Sequence, residues 1–205
     1  MNSKYIRWAV IGGVILIVFL WIRGSYNGLV REDVTVQTAW SNVETQYQRR
    51  YDLIENLAKT VLKAAKTEDK ILKDVIEARA QATSVKIDAS SLTEENMAKF
   101  EAAQAKASQS LNSSLSRLMV VSEQYPDLKS VPQFAKLNDE IAGTENRIGT
   151  ARTDFNQAIM NYNLSVRSFP SNIFANLFGF QQKAAFKATE GSDKAPDLDK
   201  VYDKE

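Results

Sequence analysis

Apolar residues recur at three- and four-residue spacing over four stretches of this chain. Ahead of them stands one stretch with no polar interruption. It runs from Trp8 to Ile22, fifteen uncharged and almost wholly apolar residues between Arg7 and Arg23. As a helix it spans roughly 22 Å at about 1.5 Å per residue, short of a ~30 Å hydrocarbon core. Tyr5 and Ile6, with Arg7 snorkelling, bring it closer to a full crossing. Trp8 and Trp21 stand at its ends, where amphipathic rings favour the headgroup level. A cleaved signal peptide is the rival reading, but Leu20-Trp21-Ile22-Arg23 offers no small-x-small cleavage site. The expected order is a flank at 1–7, a transmembrane helix at 8–22, and a linker at 23–33 continuing into the first helix.

The four amphipathic stretches predict four helices. The first covers about Val34 to Ala65, with Val36, Trp40, Val43, Tyr47, Arg50, Ile54, Leu57 and Val61 as a heptad seam. Thr67-Glu68-Asp69 reads as a cap and acidic first turn for a shorter second helix ending near Val85, with Ile71, Val75, Ala78 and Ala82 inward. Lys86 to Leu92 reads as a loop, and Thr93-Glu94-Glu95 opens the third helix. Its seam is Met97, Phe100, Gln104, Ala107, Leu111, Ser114, Leu118, Val121 and Tyr125. Pro126 stops it, and Ser130-Val131-Pro132 starts the fourth. That seam is Phe134, Leu137, Ile141, Glu145, Ile148, Arg152, Phe155, Ile159, Tyr162 and Val166. The fold class is all-α: an antiparallel up-and-down bundle of four helices, the second short, over 34–169, preceded by the transmembrane helix. A three-helix layout, with helices one and two as one kinked element, is the alternative. A Phe-rich amphipathic segment follows at 170–187, then an acidic tail at 188–205 expected to be disordered.

Composition removes several function classes. With no His and no Cys there is no Ser-His-Asp triad, no Cys-His pair, no Cys/His zinc site and no disulfide. No glycine-rich nucleotide loop is present. The net charge of +1 comes without a basic stripe, which argues against nucleic acid. Carboxylates at Glu68, Asp69, Glu94 and Glu95 are explained by helix-start charge preference, so neither metal nor cofactor is expected.

Several separated motifs resemble the LemA family. They are Trp40-Ser-Asn-Val-Glu-Thr-Gln-Tyr-Gln-Arg-Arg50 with Asp52-Leu-Ile-Glu-Asn-Leu57, then Tyr125-Pro-Asp-Leu128, Thr144-Glu-Asn-Arg-Ile148 and Tyr162-Asn163 with Phe169-Pro170. Tyr26-Asn27-Gly-Leu-Val30 also fits, and the likeness covers about Tyr26 to Phe180. One departure is Glu55, where the family usually has proline; it makes the middle of helix one more regular. The resemblance implies a bacterial, membrane-anchored helical bundle with no established enzymatic activity. Some relatives carry a lipoprotein cysteine before the Tyr-Asn pair; here Gly24-Ser25 excludes lipidation. Displayed, lipidated relatives and the cations Lys4 and Arg7 before the span favour a cytoplasmic N-terminus and an extracytoplasmic domain on the bacterial inner membrane.

Two constellations stand out. Arg50, Glu145 and Arg152 occupy seam positions, and an up-down bundle brings helix one beside helix four. The expectation is a buried polar network that fixes helix pairing; a ligand site and simple exposure are the alternatives. The segment Phe169 to Phe186 holds five of the nine phenylalanines. Ser171 is placed to cap a short helix there, and Gly179 to end it. Phe169, Ile173, Phe174, Leu177, Phe178 and Phe180 are the candidates for membrane or partner contact, against the plainer reading of a lid on the bundle. The expected function is a membrane-anchored interaction or scaffold protein, not an enzyme. Its partners are the lipid bilayer and an unidentified membrane or envelope protein. A sensor for a peptide or small molecule is the alternative, with the small residues Ala102, Ala103, Ala105, Ala107 and Ser108 on helix three leaving room for a cavity in the bundle.

Overall fold

The computed structural model describes residues 3–65, 70–125 and 132–187. Helix α1, Ser3–Ala65, is unbroken over 63 residues. The apolar run and the first heptad seam therefore share one rod, roughly 95 Å long at about 1.5 Å per residue. Helices α2 (Lys70–Ser84), α3 (Glu94–Glu123), α4 (Pro132–Arg167) and α5 (Ser171–Phe178) follow. The expected cap at Thr67-Glu68-Asp69, the stop at Pro126 and the tail at 188–205 lie outside the described residues.

In α1 every predicted seam residue is buried, Arg50 included. The bundle also begins nearer the span than the expected linker allows, because Leu29 is already buried. At the start of α3 the Thr93 hydroxyl accepts the Asn96 N–H at 3.2 Å, relieving one orphan donor of the first turn. The α3 seam is buried from Met97 to Leu118, with Ser122 rather than Val121 closing it.

Helix α4 departs from its predicted seam. Between Ile141 and Ile148 the buried residue is Thr144, and between Ile148 and Phe155 it is Ala151. Glu145 and Arg152 fall one position to the side. A threonine satisfies itself when buried, here by donating to the Ile141 carbonyl at 2.6 Å, whereas an unpaired carboxylate does not. The helix therefore turns its charges to the edge.

The closest helix pairings are α1 with α4 and α2 with α3, and α1 also meets α2 and α3. Trp40 packs on Phe155 and on Phe100, with ring centroids 5.3 and 4.9 Å apart, and its indole N–H donates to the Ile87 carbonyl at 3.3 Å. Arg79 of α2 binds Asp52 at 2.7 Å and also Glu55. Glu55 takes Lys59 as well, at 2.5 Å, and that hydrogen bond first, with Arg79 adding to it, holds the carboxyl below the usual range. Glu55 thus clamps α2 onto α1. The result is an up-down-up-down bundle in which α3 and α4 are left apart, with a groove between them.

The Phe169–Pro170 peptide is cis, and α5 follows at once. Ser171 does not cap it: the capping position is Pro170, without a side-chain hydrogen bond. Gly179 ends the helix at φ 78°, a left-handed conformation suited to glycine, with its N–H on the Ala175 carbonyl. From Phe180 to Lys187 the chain is non-helical and turns back into the α3–α4 groove.

Candidate functional site

Residues 180–187 form a strap held by side chains from both walls of the groove. On α4, Asn163 accepts the Lys183 N–H at 2.9 Å and donates to its carbonyl at 2.8 Å. Asn156 does the same for Phe186, at 2.9 and 3.2 Å. Two turns of helix separate the asparagines, about 10.5 Å, and three extended residues cover about 10 Å, so the spacings match. On the other wall the Ala184 N–H donates to the Leu92 carbonyl at 2.7 Å and the Lys187 N–H to Glu101 at 3.3 Å. Phe186 is the anchor. Its ring lies 5.4 Å from Phe155, 6.1 Å from Trp40 and 6.3 Å from Phe100, with the Arg152 guanidinium 4.3 Å over its face. Lys183 is buried, donating to Asp33 at 2.5 Å and to the Ala89 carbonyl at 2.8 Å, above the Tyr162 ring. Burial and the Asp33 carboxylate push the Tyr162 pKa up to about 12.

Where the strap stops, the groove continues as a cleft of about 470 Å³. Its α3 wall presents Glu101, Gln104, Ala105 and Ser108, and its α4 wall Glu145, Ile148 and Arg152. Tyr47 and Arg50 form the floor, and Lys187 stands at the end of the strap. Arg50 donates to Glu145 at 2.5 Å and to Asn112 at 3.2 Å, while its Nε–H is buried without a partner. Tyr47 is only 8% exposed and lines the floor of the cleft. Burial chiefly raises its pKa, keeping the phenol a neutral donor. Gln104 is spent, bonded to the Tyr51 hydroxyl and to the Ala82 carbonyl.

The predicted trio is only partly assembled. Arg50 and Glu145 pair, but the Glu145 side chain is 72% exposed. Arg152 turns to Glu101, 3.5 Å away, and to Phe186 rather than joining them. A buried three-charge network is therefore replaced by one buried arginine and a rim of charges, because the edge position of 145 and 152 faces the groove.

The Phe-rich candidates divide by side. Phe169, Ile173, Leu177 and Phe178 are exposed. Phe174 is buried, edge-on to Trp21 at 5.2 Å, and is a packing residue rather than a contact. Phe178 and the half-buried Phe180 rest on Tyr26, at 5.0 and 5.9 Å. Helix α5 thus lies against α1 where its exposed apolar run ends. None of the apolar stretch of that run is buried. Asn156 and Asn163 share one edge of α4. Their seven-residue spacing on the α4 edge was the available signal.

Comparison with known proteins places these features. Magnetosome protein MamQ 2 of Paramagnetospirillum magneticum is 29% identical over 181 residues, covering 82% of this chain and 66% of its own length, so the chain spans just under two thirds of that relative. Magnetosome protein MamQ of Magnetospirillum gryphiswaldense is 26% identical over the same coverage. Protein LemA of Metamycoplasma hominis is 22% identical over 167 residues, covering 82% of this chain and 71% of its own. The LemA family model matches residues 39–199, which takes in α1 from residue 39 onward, α2 to α5, the strap and both walls of the cleft, and the chain belongs to the LemA family.

Proposed function

We propose that this LemA-family chain is a membrane-tethered interaction protein without catalytic activity, held to the bilayer by the span of α1 and by α5. The observation that carries the reading is the outer face of α5. Phe169 is 81% exposed and Leu177 73%, beside Trp21 and Tyr26 at the end of the apolar run. Large apolar side chains on a short helix at that level favour the headgroup and acyl boundary. The inward face, with Phe174 and Ala175 buried, docks the helix on α1. Two attachments on one rigid bundle hold its long axis at a set tilt, which suits a scaffold presenting a surface to a membrane or envelope partner.

The chain has no cysteine, so a single introduced thiol can be labelled cleanly. An environment-sensitive dye on Leu177→Cys, in the full chain in nanodiscs, is expected to report an apolar setting and to be quenched by spin-labelled lipid. A dye on Gln109→Cys is expected to report water. A water-like signal at both positions refutes the lipid contact. We further place the N-terminus in the cytoplasm and the bundle outside the bacterial inner membrane, from Lys4 and Arg7 ahead of the span. Protease added to spheroplasts then digests the bundle; protection until the membrane is breached overturns that orientation.

A further inference from the structure

All 25 Asp and Glu residues lie in two stretches, 32–154 and 190–205. None occurs from Met1 to Arg31, nor from Phe155 to Thr189. The fold brings these two acid-free stretches together at one end of the bundle. Phe174 of α5 meets Trp21 edge-on at 5.2 Å, and Phe178 meets Tyr26 at 5.0 Å. Ser165 and Ser171 line one groove with Leu20, Trp21 and Gly24 of α1. Arg167, which ends α4, stands between those two serines in the chain and so shares the level of Arg23, where the apolar run stops. Both arginines are exposed.

Distance decides which charges count there. On α1, Arg31, Glu32 and Asp33 stand eight to ten residues beyond Arg23, about 12–15 Å of helix at about 1.5 Å per residue. A headgroup layer is roughly 5–8 Å deep, and physiological salt screens beyond about 8 Å. Asp33 is moreover held by Lys183 at 2.5 Å, and the half-buried Glu32 closes the far end of the groove. Arg23 and Arg167 therefore set the charge of this end. Helix α5 has no charged residue of its own, so its exposed Ile173 and Leu177 gain electrostatic attraction only from these two neighbours.

We propose that the end of the bundle formed by α5, Arg23 and Arg167 selects anionic phospholipids. The two guanidiniums take lipid phosphates, and Ile173 and Leu177 enter the acyl boundary. The proposal rests on the lipid contact of α5 and names the lipid class. A guanidinium presents a planar fork that pairs two phosphate oxygens. In phosphatidylcholine the phosphate is offset by the headgroup's own ammonium, whereas in phosphatidylglycerol it is not, so net charge makes the choice.

The test uses the full chain, dye-labelled at Leu177→Cys, in nanodiscs of equimolar phosphatidylcholine and phosphatidylglycerol. A trace of one lipid or the other, carrying the same acyl spin label, is added, and quenching of the dye is compared. Spin-labelled phosphatidylglycerol is expected to quench at least about fivefold more strongly per mole, the share of one cation at a bilayer surface. Arg23→Gln with Arg167→Gln is expected to bring the two lipids to equal quenching. So is about 1 M salt, where the Debye length falls to about 3 Å. Lys106→Gln, at an exposed cation of α3, leaves the preference intact. Equal quenching by both lipids in the wild-type chain, or a preference that survives the double arginine substitution, overturns the proposal and leaves the lipid contact standing. A dye that neither lipid quenches refutes the lipid contact itself and the proposal with it, so the two failures are told apart.

Discussion

Truncating Phe186 to alanine tests whether the strap belongs to the core. The ring is 7% exposed and meets three aromatic side chains within 6.3 Å. A buried Phe→Ala change costs about 3–5 kcal/mol, the lost transfer energy plus a residual cavity. The aromatic pairs and the Arg152 guanidinium above the ring move the expectation toward the upper half of that range. A ceiling also applies. The strap is held by side-chain hydrogen bonds and one anchor, so a weakened strap can leave the groove before the bundle unfolds, exposing Trp40 and Phe155. The expected loss is therefore about 3 kcal/mol, read as a lower urea midpoint by circular dichroism on the full chain. Hydrogen exchange separates the two events: the amides of Ala184 and Phe186 lose protection first. Phe169→Ala, at an 81% exposed site, is the control and shifts stability by less than about 0.5 kcal/mol. A Phe186→Ala midpoint equal to that control refutes the strap as a structural element.

Lys183→Met strands Asp33, whose side chain is 23% exposed, and is expected to cost about 2–3 kcal/mol, less than a fully buried pair because water still reaches the carboxylate; adding Asp33→Leu restores most of it in the same urea titration. Arg50→Met removes a buried cation with an unpartnered Nε–H and leaves Glu145 in water, so stability is expected to stay within about 1 kcal/mol or to rise; a loss above about 3 kcal/mol refutes this. Tyr162 ionises near 12 when folded and near 10 when unfolded, so its contribution is complete below pH 10 and lost as the pH climbs to 12. Tyr162→Phe is expected to flatten that decline by about 1–2 kcal/mol, after allowance for solvent.

The helices were legible because their periodicity is carried by large apolar residues. Val36, Trp40, Val43 and Tyr47, or Met97, Phe100 and Leu111, admit one helical face only. The α4 charges were not, because between Ile141 and Ile148 both Thr144 and Glu145 keep a three-four step. The choice falls to which polar group a helix satisfies alone, and a threonine hydroxyl has the Ile141 carbonyl within reach. The Phe-rich segment split for a related reason. Gly179 turns the chain out of α5, and beyond it the alternation of buried Lys183 and Phe186 follows the asparagines on α4 rather than any helical face. A lysine is a poor signal of burial in sequence, since only Asp33 and the Ala89 carbonyl, 150 and 94 residues away, make it tolerable. Of the five small residues of helix three read as leaving room for a cavity, Ala105 and Ser108 line the cleft, whereas Ala107 is packed in the core.

Rigidity links the anchor to the cleft. Because α1 runs without a break from the apolar span into the bundle, the domain does not swing on a linker. Arg23 closes the span and Arg50 floors the cleft; 27 residues of helix separate them, about 40 Å at about 1.5 Å per residue. That is the greatest height at which the cleft stands above the bilayer, reached when α1 is upright. The proposed contact of α5 with the lipid would lower it, since the bundle would lean toward the side that carries Phe169, Ile173 and Leu177. That face, if it attaches the domain as proposed, therefore sets the height and bearing of the cleft.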